Sequence, residues 1–217
     1  MAEALRRDLI ETAIEMNRCG LNRGTSGNLS VRHGDGFLIT PSGMPYSELQ
    51  AADLVFVSDD GRFEGEYRPS SEWRIHRDVY RAREDAGAIL HAHPVHCTAL
   101  ACLRKPVPAF HYMVAVAGGK EIPLAGYATF GGQALSDNVL AALGSLDACL
   151  MANHGLICLA SEMQRALALA VEVEQLAHSY LLCLAAGEPS LLDDDEMERV
   201  LTRFRDYGNR GRGEGRG

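Results

Sequence analysis

The sequence predicts an α/β fold in which helices pack on a largely antiparallel sheet. Segments typical of strands and of helices are mixed along the chain, without the regular alternation that produces a parallel sheet. Short turns at residues 58–61 and 154–155 join neighbouring strand candidates closely, as antiparallel strands allow. The 217 residues, 47% hydrophobic and 23% charged, fit one globular domain, which we place at residues 1–208.

The elements of the first half follow from hydrophobic periodicity and turn residues. Residues 3–19 have apolar side chains at helical spacing, and Gly20 is suited to end that helix. Three strands follow, at 28–32, 37–40 and 54–57, and the turn 58–61 leads into a return strand at 62–66.

The second half alternates helices with two apolar strand regions. Predicted helices cover 69–83, 95–103, 131–143, 161–186 and 194–204; predicted strands cover 88–93, 148–153 and 156–160. Ser161 and Gln164 have the spacing of a capping box at the start of the long helix. The Gly/Arg-rich residues 209–217 are expected to form a flexible tail, since such a composition cannot build a core.

Charge and cysteine content narrow the class of protein. With 29 acidic and 21 basic residues the net charge is −8, which argues against a nucleic-acid binder and against binding to anionic membranes. No uncharged apolar run approaches the ~18 residues of a membrane span, and the N-terminus has no signal-peptide core. Six cysteines without a C-x-x-C pair predict free thiols and a cytoplasmic protein. Only Lys105 and Lys120 could form a lysine Schiff base, because all other basic residues are arginines.

Three histidines are candidates for a metal site. His91 and His93 are two apart in a predicted strand, so their side chains point to the same face, and Pro94 ends the strand there. His154 follows a second apolar strand. Three neutral imidazoles suit Zn²⁺ and leave a fourth position open. Of the other five histidines, which we expect at the surface or in hydrogen bonds, His96 and His111 are candidates for supporting a ligand.

Small-residue turns offer a place for an anion. Glu72 is the best candidate acid in this region. It follows Ser70 and Ser71 at the predicted start of a helix, where free amides and hydroxyls can bind an anion. The turns GTSGN (24–28) and TPSG (40–43) offer further donors, and none of these turns has a nucleotide-binding fingerprint.

Taken together, these segments resemble the class II aldolase/adducin family, most closely its zinc-dependent L-fuculose-1-phosphate aldolase branch, over about residues 5–208. The segments that carry the resemblance are GTSGNLSVR, ITPSGMPY, PSSEWRIH, HAHPVHCTAL, HYMVAVAGG, YATFG, HGLI and VEVEQLAHSYL. The resemblance implies a three-layer class II aldolase fold with a central, mainly antiparallel sheet. It also implies a C4 homotetramer whose active sites lie at subunit interfaces.

The resemblance further implies a role for each matching residue. His91, His93 and His154 fall on the zinc ligands, with Mn²⁺ or Co²⁺ able to replace the one Zn²⁺ per subunit. Glu72 falls on an acid/base that also ligates the resting metal, and Tyr112 on a tyrosine that exchanges a proton with the aldehyde oxygen across the interface. The remaining matches are phosphate-binding positions Thr25, Asn28, Ser42, Gly43, Ser70 and Ser71, an apolar wall at Phe130 and a pocket-capping tyrosine at Tyr207.

The reaction that the resemblance implies is reversible cleavage of a ketose 1-phosphate to dihydroxyacetone phosphate and an aldehyde. Fuculose 1-phosphate, or the 5-methylthioribulose and 5-deoxyribulose 1-phosphates of 5′-methylthioadenosine and 5′-deoxyadenosine salvage, would use the same groups. A pentulose-phosphate 4-epimerase would carry an aspartate in the loop 104–121, which has none. A methylthioribulose-1-phosphate dehydratase and a non-catalytic adducin-like module remain as alternatives. If Glu72 leaves the metal for an apolar surrounding, we expect its pKa to be raised.

Overall fold

The computed structural model describes residues 2–207 of the chain, and the predicted tail at 209–217 lies outside them. Its centre is one eight-stranded sheet in the order β4-β3-β2-β1-β5-β8-β7-β6. The strands are β1 Asn28–His33, β2 Gly36–Ile39, β3 Val55–Ser58, β4 Phe63–Glu64, β5 Ala88–Ala92, β6 Leu124–Ala125, β7 Ala148–Met151 and β8 Gly155–Ala160. Every neighbouring pair is antiparallel except β6 with β7, which confirms the predicted mainly antiparallel sheet.

Helices cover both faces of the sheet, so the fold has three layers. They are α1 Ala2–Arg18, α2 Trp73–Ala82, α3 Val95–Cys102, α4 Gln133–Leu143, α5 Met163–Ala186 and α6 Asp194–Tyr207. One hydrophobic core packs α1, α3, α5 and α6 against one face, and a second core packs α2 and α4 against the other. Because both faces are covered, the central strands carry continuous apolar runs rather than alternating ones.

Strand β5 shows how the two cores share the sheet. Ile89 belongs to one core and Leu90 to the other, and all five residues of the strand are buried. Its neighbours are β1, which pairs Asn28 with His91, and β8, which pairs Ile157 with His91. The end of β5 is therefore held from both sides.

Several predicted boundaries differ from the structure. The return strand at 62–66 shrinks to the two residues of β4, and the helix predicted from residue 69 begins at Trp73. The capping box is wrong: Glu162 precedes the first residue of α5, and no side chain caps that end. The short β6 was not predicted, nor was the 3₁₀ helix Tyr112–Ala117, because neither has enough residues to show a period.

Helix α5 is long and apolar enough to cross a membrane by length and composition. It also packs one face into the core through Met163, Ala166, Val173 and other residues, so we interpret it as a core helix. All six cysteines are free, as their spacing predicts.

Candidate metal and phosphate site

The three predicted histidines meet at the ends of β5 and β7. His91 is the fourth residue of β5, His93 follows the strand end, and His154 lies in the turn between β7 and β8. Their rings are 4.8–4.9 Å apart between centroids, and one nitrogen from each lies within 4.8 Å of the others. The predicted cluster therefore forms within one chain.

Asn153 creates the turn that brings His154 to the other two. Its φ is 53°, a left-handed conformation that asparagine adopts more readily than most other residues with a side chain. Its amide donates to the carbonyl of Ala101 at 3.2 Å, which ties the turn to α3.

Hydrogen bonding decides which nitrogen of His91 faces the cluster. Its Nδ1 donates to the carbonyl of Leu156 at 2.8 Å, so Nε2 points to the centre. Burial and the charges of neighbouring groups lower the pKa of both His93 and His154 to about 4. Both rings are therefore neutral near neutral pH, with lone pairs available to a metal.

Glu72 directs its carboxylate at the same centre. Oε2 lies 3.0 Å from Nε2 of His91 and accepts a hydrogen bond from Nδ2 of Asn28, also at 3.0 Å. Oε1 lies 3.2 Å from Nε2 of His154. Burial alone would raise the pKa of Glu72, but His91, His154 and Asn28 outweigh it and hold that pKa well below its usual range. The expected rise therefore does not apply while the carboxylate faces these histidines.

This donor set fits a divalent cation. Oε1 of Glu72 is buried without a hydrogen-bond partner among the described residues. Three imidazole nitrogens and one carboxylate converge where only positive charge can satisfy them all, which is the chemistry of a zinc-type site. His91, His93, His154 and Glu72 are thus the residues that could hold a metal.

A cavity of about 440 Å³ opens beside the cluster and gathers most of the other predicted site residues. Its lining includes Glu72, His93 and His154 at one end. The predicted phosphate residues and wall that line it are Thr25, Asn28, Ser42, Gly43, Ser70, Ser71 and Phe130. No lysine or arginine is among its lining residues, so an anion here would be bound by neutral donors.

The donors at the anion end include hydroxyls, the NH₂ group of Asn28 and free backbone amides. The amides of Ser42 and Ser70 are already used, since they donate to the carbonyls of Arg68 and Thr40. Those of Gly43 and Ser71 make no hydrogen bond to another described residue. Helix α2 begins just after Ser70 and Ser71 and adds the positive end of its dipole.

Gly27 allows the loop before β1 to approach β5. Its φ is +76°, and a Cβ there would lie 2.6 Å from the carbonyl oxygen of His91 and 3.3 Å from Cα of Ala92. Only glycine combines this conformation with such close backbone contact. The loop that leads from Thr25 to Asn28 can therefore lie against β5 only because residue 27 has no side chain.

One predicted residue lies away from this cavity. Tyr112 is half exposed and lines a different cavity, of about 810 Å³, with Phe110, Phe204 and other residues of the 3₁₀ helix and α6. Tyr207 ends α6, and its side chain lies outside the part of the chain that the structure describes.

The lysines also lie away from the cavity lining. Lys120 pairs with Glu198 at 2.9 Å, and Lys105 follows α3 in a loop.

The supporting residues differ from those expected. His96 contacts Glu174, whose carboxylate accepts from the amides of His96 and Cys97 at the start of α3, and it touches no candidate ligand. His76, expected to be an ordinary histidine, is buried and bonds to Asn28. Ser26, Gly27, Pro41, Tyr127, Ala128 and Asn153 line the cavity as well and were not predicted as site residues.

The fold is that of a class II aldolase. Residues 7–181 match the family model described as class II aldolase and adducin N-terminal domain, and the chain belongs to this family.

Individual relatives extend over nearly the whole chain. A 5-methylthioribulose-1-phosphate/5-deoxyribulose-1-phosphate aldolase of Rhodospirillum rubrum is 52% identical, covering 95% of this chain and 93% of the relative. An L-fuculose phosphate aldolase of Escherichia coli K12 is 49% identical, covering 95% and 96%. Among solved structures, an L-fuculose 1-phosphate aldolase superposes with a TM-score of 0.90 at 41% identity, over 93% of this chain and 96% of that one.

Proposed function

We propose that this chain is a metal-dependent aldolase that reversibly cleaves a ketose 1-phosphate to dihydroxyacetone phosphate and an aldehyde. The observation that carries the proposal is one cavity with a cation site at one end and neutral anion donors at the other. A phosphate at the donor end and vicinal oxygens at the cation end describe a ketose 1-phosphate. The names of the two relatives described above, a 5-methylthioribulose-1-phosphate/5-deoxyribulose-1-phosphate aldolase and an L-fuculose phosphate aldolase, indicate sugar-phosphate substrates of this kind.

His91, His93, His154 and Glu72 would hold the metal, which we propose to be one Zn²⁺ per subunit. A divalent cation there supplies Lewis-acid stabilisation of the negative charge that develops on substrate oxygens when the C3–C4 bond breaks. The protein has no lysine at the cavity that could do this through a Schiff base.

Glu72 is the group we propose to carry a proton to and from C3. In the free protein its pKa is low because His91 and His154 face it. If substrate displaces the carboxylate from these rings, burial becomes the main influence and favours the protonated form. Glu72 can then give the proton that converts the cleaved C3 carbon to the CH₂OH of dihydroxyacetone phosphate, and take it back in condensation.

Tyr112 is the proposed partner at the aldehyde oxygen. In cleavage it accepts the C4 hydroxyl proton while its own phenolic proton passes to solvent, so that C4 leaves as an aldehyde. Because Tyr112 lines another cavity in its own chain, a neighbouring copy would have to supply it. Sites shared in this way require an oligomer, which we propose to be a homotetramer. We also propose that Phe130 forms an apolar wall of the pocket and that Tyr207 covers it. The cytoplasm is the proposed location, in keeping with six free thiols.

Two substrate types remain, and each is supported by a close relative: L-fuculose 1-phosphate, and 5-methylthioribulose or 5-deoxyribulose 1-phosphate. Purified protein should be incubated with each, and dihydroxyacetone phosphate measured by a coupled dehydrogenase. We expect release from at least one, lost on chelation and restored by Zn²⁺, Mn²⁺ or Co²⁺. Release from none would refute the aldolase proposal, and the ratio of kcat/KM values identifies the preferred aldehyde.

A further inference from the structure

A histidine lies behind the candidate site with both ring nitrogens engaged. His76, on α2, is fully buried. Its Nε2 lies 2.6 Å from Oδ1 of Asn28, and its Nδ1 lies 2.6 Å from Oγ of Ser30. Ser30 in turn contacts the hydroxyl of Tyr80 at 2.9 Å. A continuous buried chain of hydrogen bonds thus runs from the core to Asn28 and on to Glu72.

The direction of each bond in this chain follows from its end at Glu72. A carboxylate only accepts, so Asn28 must present its NH₂ group to it and its oxygen to His76. An amide oxygen also only accepts, so Nε2 of His76 must carry the hydrogen.

The far side of the ring has the opposite polarity. Burial lowers the pKa of His76 to about 3, which keeps the ring neutral and leaves Nδ1 without a hydrogen. Ser30 therefore donates to Nδ1, and Tyr80 donates to Ser30.

We propose that His76 is a positioning residue that fixes the amide of Asn28 with its NH₂ group toward Glu72 and the anion end of the cavity. The consequence for catalysis rests on the proposed function, in which Glu72 leaves its place and a phosphate arrives. The same NH₂ group can then serve both partners in turn, holding the carboxylate in the free protein and the phosphate afterwards. If the amide were reversed, its oxygen would face a negative group in both states.

The first experiment measures the tautomer of His76 directly. Long-range ¹H–¹⁵N correlation spectra of the full chain, labelled at histidine and assigned by comparison with His76→Gln, separate the three protonation forms. The proposal expects hydrogen on Nε2 alone. Hydrogen on Nδ1, or on both nitrogens, would overturn it. This result requires no substrate, so it is independent of whether the protein is an aldolase.

Two substitutions test what the tautomer does for Asn28. In His76→Gln the side-chain nitrogen can occupy the place of Nε2 and still donate to Asn28. In His76→Asn the shorter side chain reaches only the Nδ1 position, near Ser30, and leaves the oxygen of Asn28 without a donor. Both remove the ring from the same buried place, so they form a matched pair.

The readout is binding of inorganic phosphate, followed through the side-chain NH₂ signals of Asn28. We expect His76→Asn to weaken phosphate binding and kcat/KM about 10- to 100-fold, the usual effect of losing a group that supports a metal-site residue. His76→Gln should restore most of both. Equal losses in the two variants would mean that His76 only fills space and would overturn the proposal.

Ser30→Ala provides a second measurement should either variant fail to fold. It removes the donor to Nδ1 but leaves Glu72 and Asn28 in place, so the hydrogen should stay on Nε2 and the Asn28 signals should keep one amide orientation. A shift of the hydrogen to Nδ1, or a second set of Asn28 signals, would contradict the direction that Glu72 is proposed to set. If these signatures hold but no ketose 1-phosphate is cleaved, the aldolase proposal fails while the role of His76 stands.

Discussion

Nε2 of His91 lies 3.0 Å from Oε2 of Glu72, while Nδ1 of the same ring donates to the carbonyl of Leu156. In a neutral ring held this way, Nε2 and the carboxylate oxygen would face each other with lone pairs only. A positive charge must lie on or between them, as a proton or as a metal ion. This pair is the structural basis for expecting a metal that competes with protons at the site.

Removal of one imidazole should abolish metal binding. We expect His93→Ala to lose its divalent ion in elemental analysis of the purified protein, and to lose more than about 100-fold in activity, since even supporting groups are worth ~10–100-fold. His33→Ala is the matched control, because His33 lies at the opposite end of β1 from Asn28. Equal ion content in the two variants would rule out the three-histidine site.

A side chain at Gly27 should be more destabilising than one at Gly24, because only at Gly27 is the added atom in close contact with another strand. Both have a left-handed φ, of +76° and +67°, but only at Gly27 would a Cβ meet backbone atoms. Gly24→Ala should therefore cost the conformational strain alone, ~1–2 kcal/mol. Gly27→Ala should cost a further ~1–3 kcal/mol and weaken substrate binding, because the loop must move away from His91.

Urea unfolding and KM for the ketose 1-phosphate measure these two effects. If both alanine variants behaved alike, the close approach of the loop to β5 would have no energetic importance.

The sequence predicted the part of the site that follows from local periodicity. His91 and His93 share a face because side chains alternate along a strand, and Pro94 showed where the strand ends. The sheet was predicted as antiparallel because its strands are joined by short turns. The order of the strands could not be predicted, because the pairing of β1 with β5 joins segments about sixty residues apart and no local pattern indicates it.

His76 was missed although a signal existed. It is four residues beyond Glu72, one helical turn, so the two belong on the same side of the chain near the start of α2. An isolated histidine gave no reason to choose burial over exposure. The cost of burying its ring is offset by Asn28 and Ser30, which only the folded sheet brings to it.

Shared active sites predict that two inactive variants will complement each other. Tyr112→Phe should keep its metal and lose most of its kcat, and His93→Ala should lose its metal. If the two chains are dissociated together and reassembled in equal amounts, about a quarter of the interfaces should combine an intact Tyr112 with an intact His93.

We expect a corresponding part of the wild-type activity to return, measured as release of dihydroxyacetone phosphate. Each variant dissociated and reassembled alone is the control. Absence of any recovery in a mixture shown to contain mixed assemblies would place Tyr112 and His93 in the same chain's site, or Tyr112 outside catalysis.

Stability should fall in acid, in part because of His76. The pKa of this buried ring is lowered to about 3 in the folded protein, against 6.5 for an ordinary histidine. Between these values the unfolded chain binds a proton that the native chain does not, so the free energy of unfolding rises with pH. This contribution is fully present above about pH 6.5 and is lost as the pH falls toward 3.

The slope from one such proton approaches about 1.4 kcal/mol per pH unit in the middle of that window. Urea unfolding of metal-free protein between about pH 5 and about pH 8 should therefore show a shallower pH dependence for His76→Gln than for the wild type. His93 and His154, whose pKa is also lowered, remain in both proteins and cancel in the difference. Identical slopes would show that His76 can take up a proton in the folded state, contrary to its burial between Ser30 and Asn28.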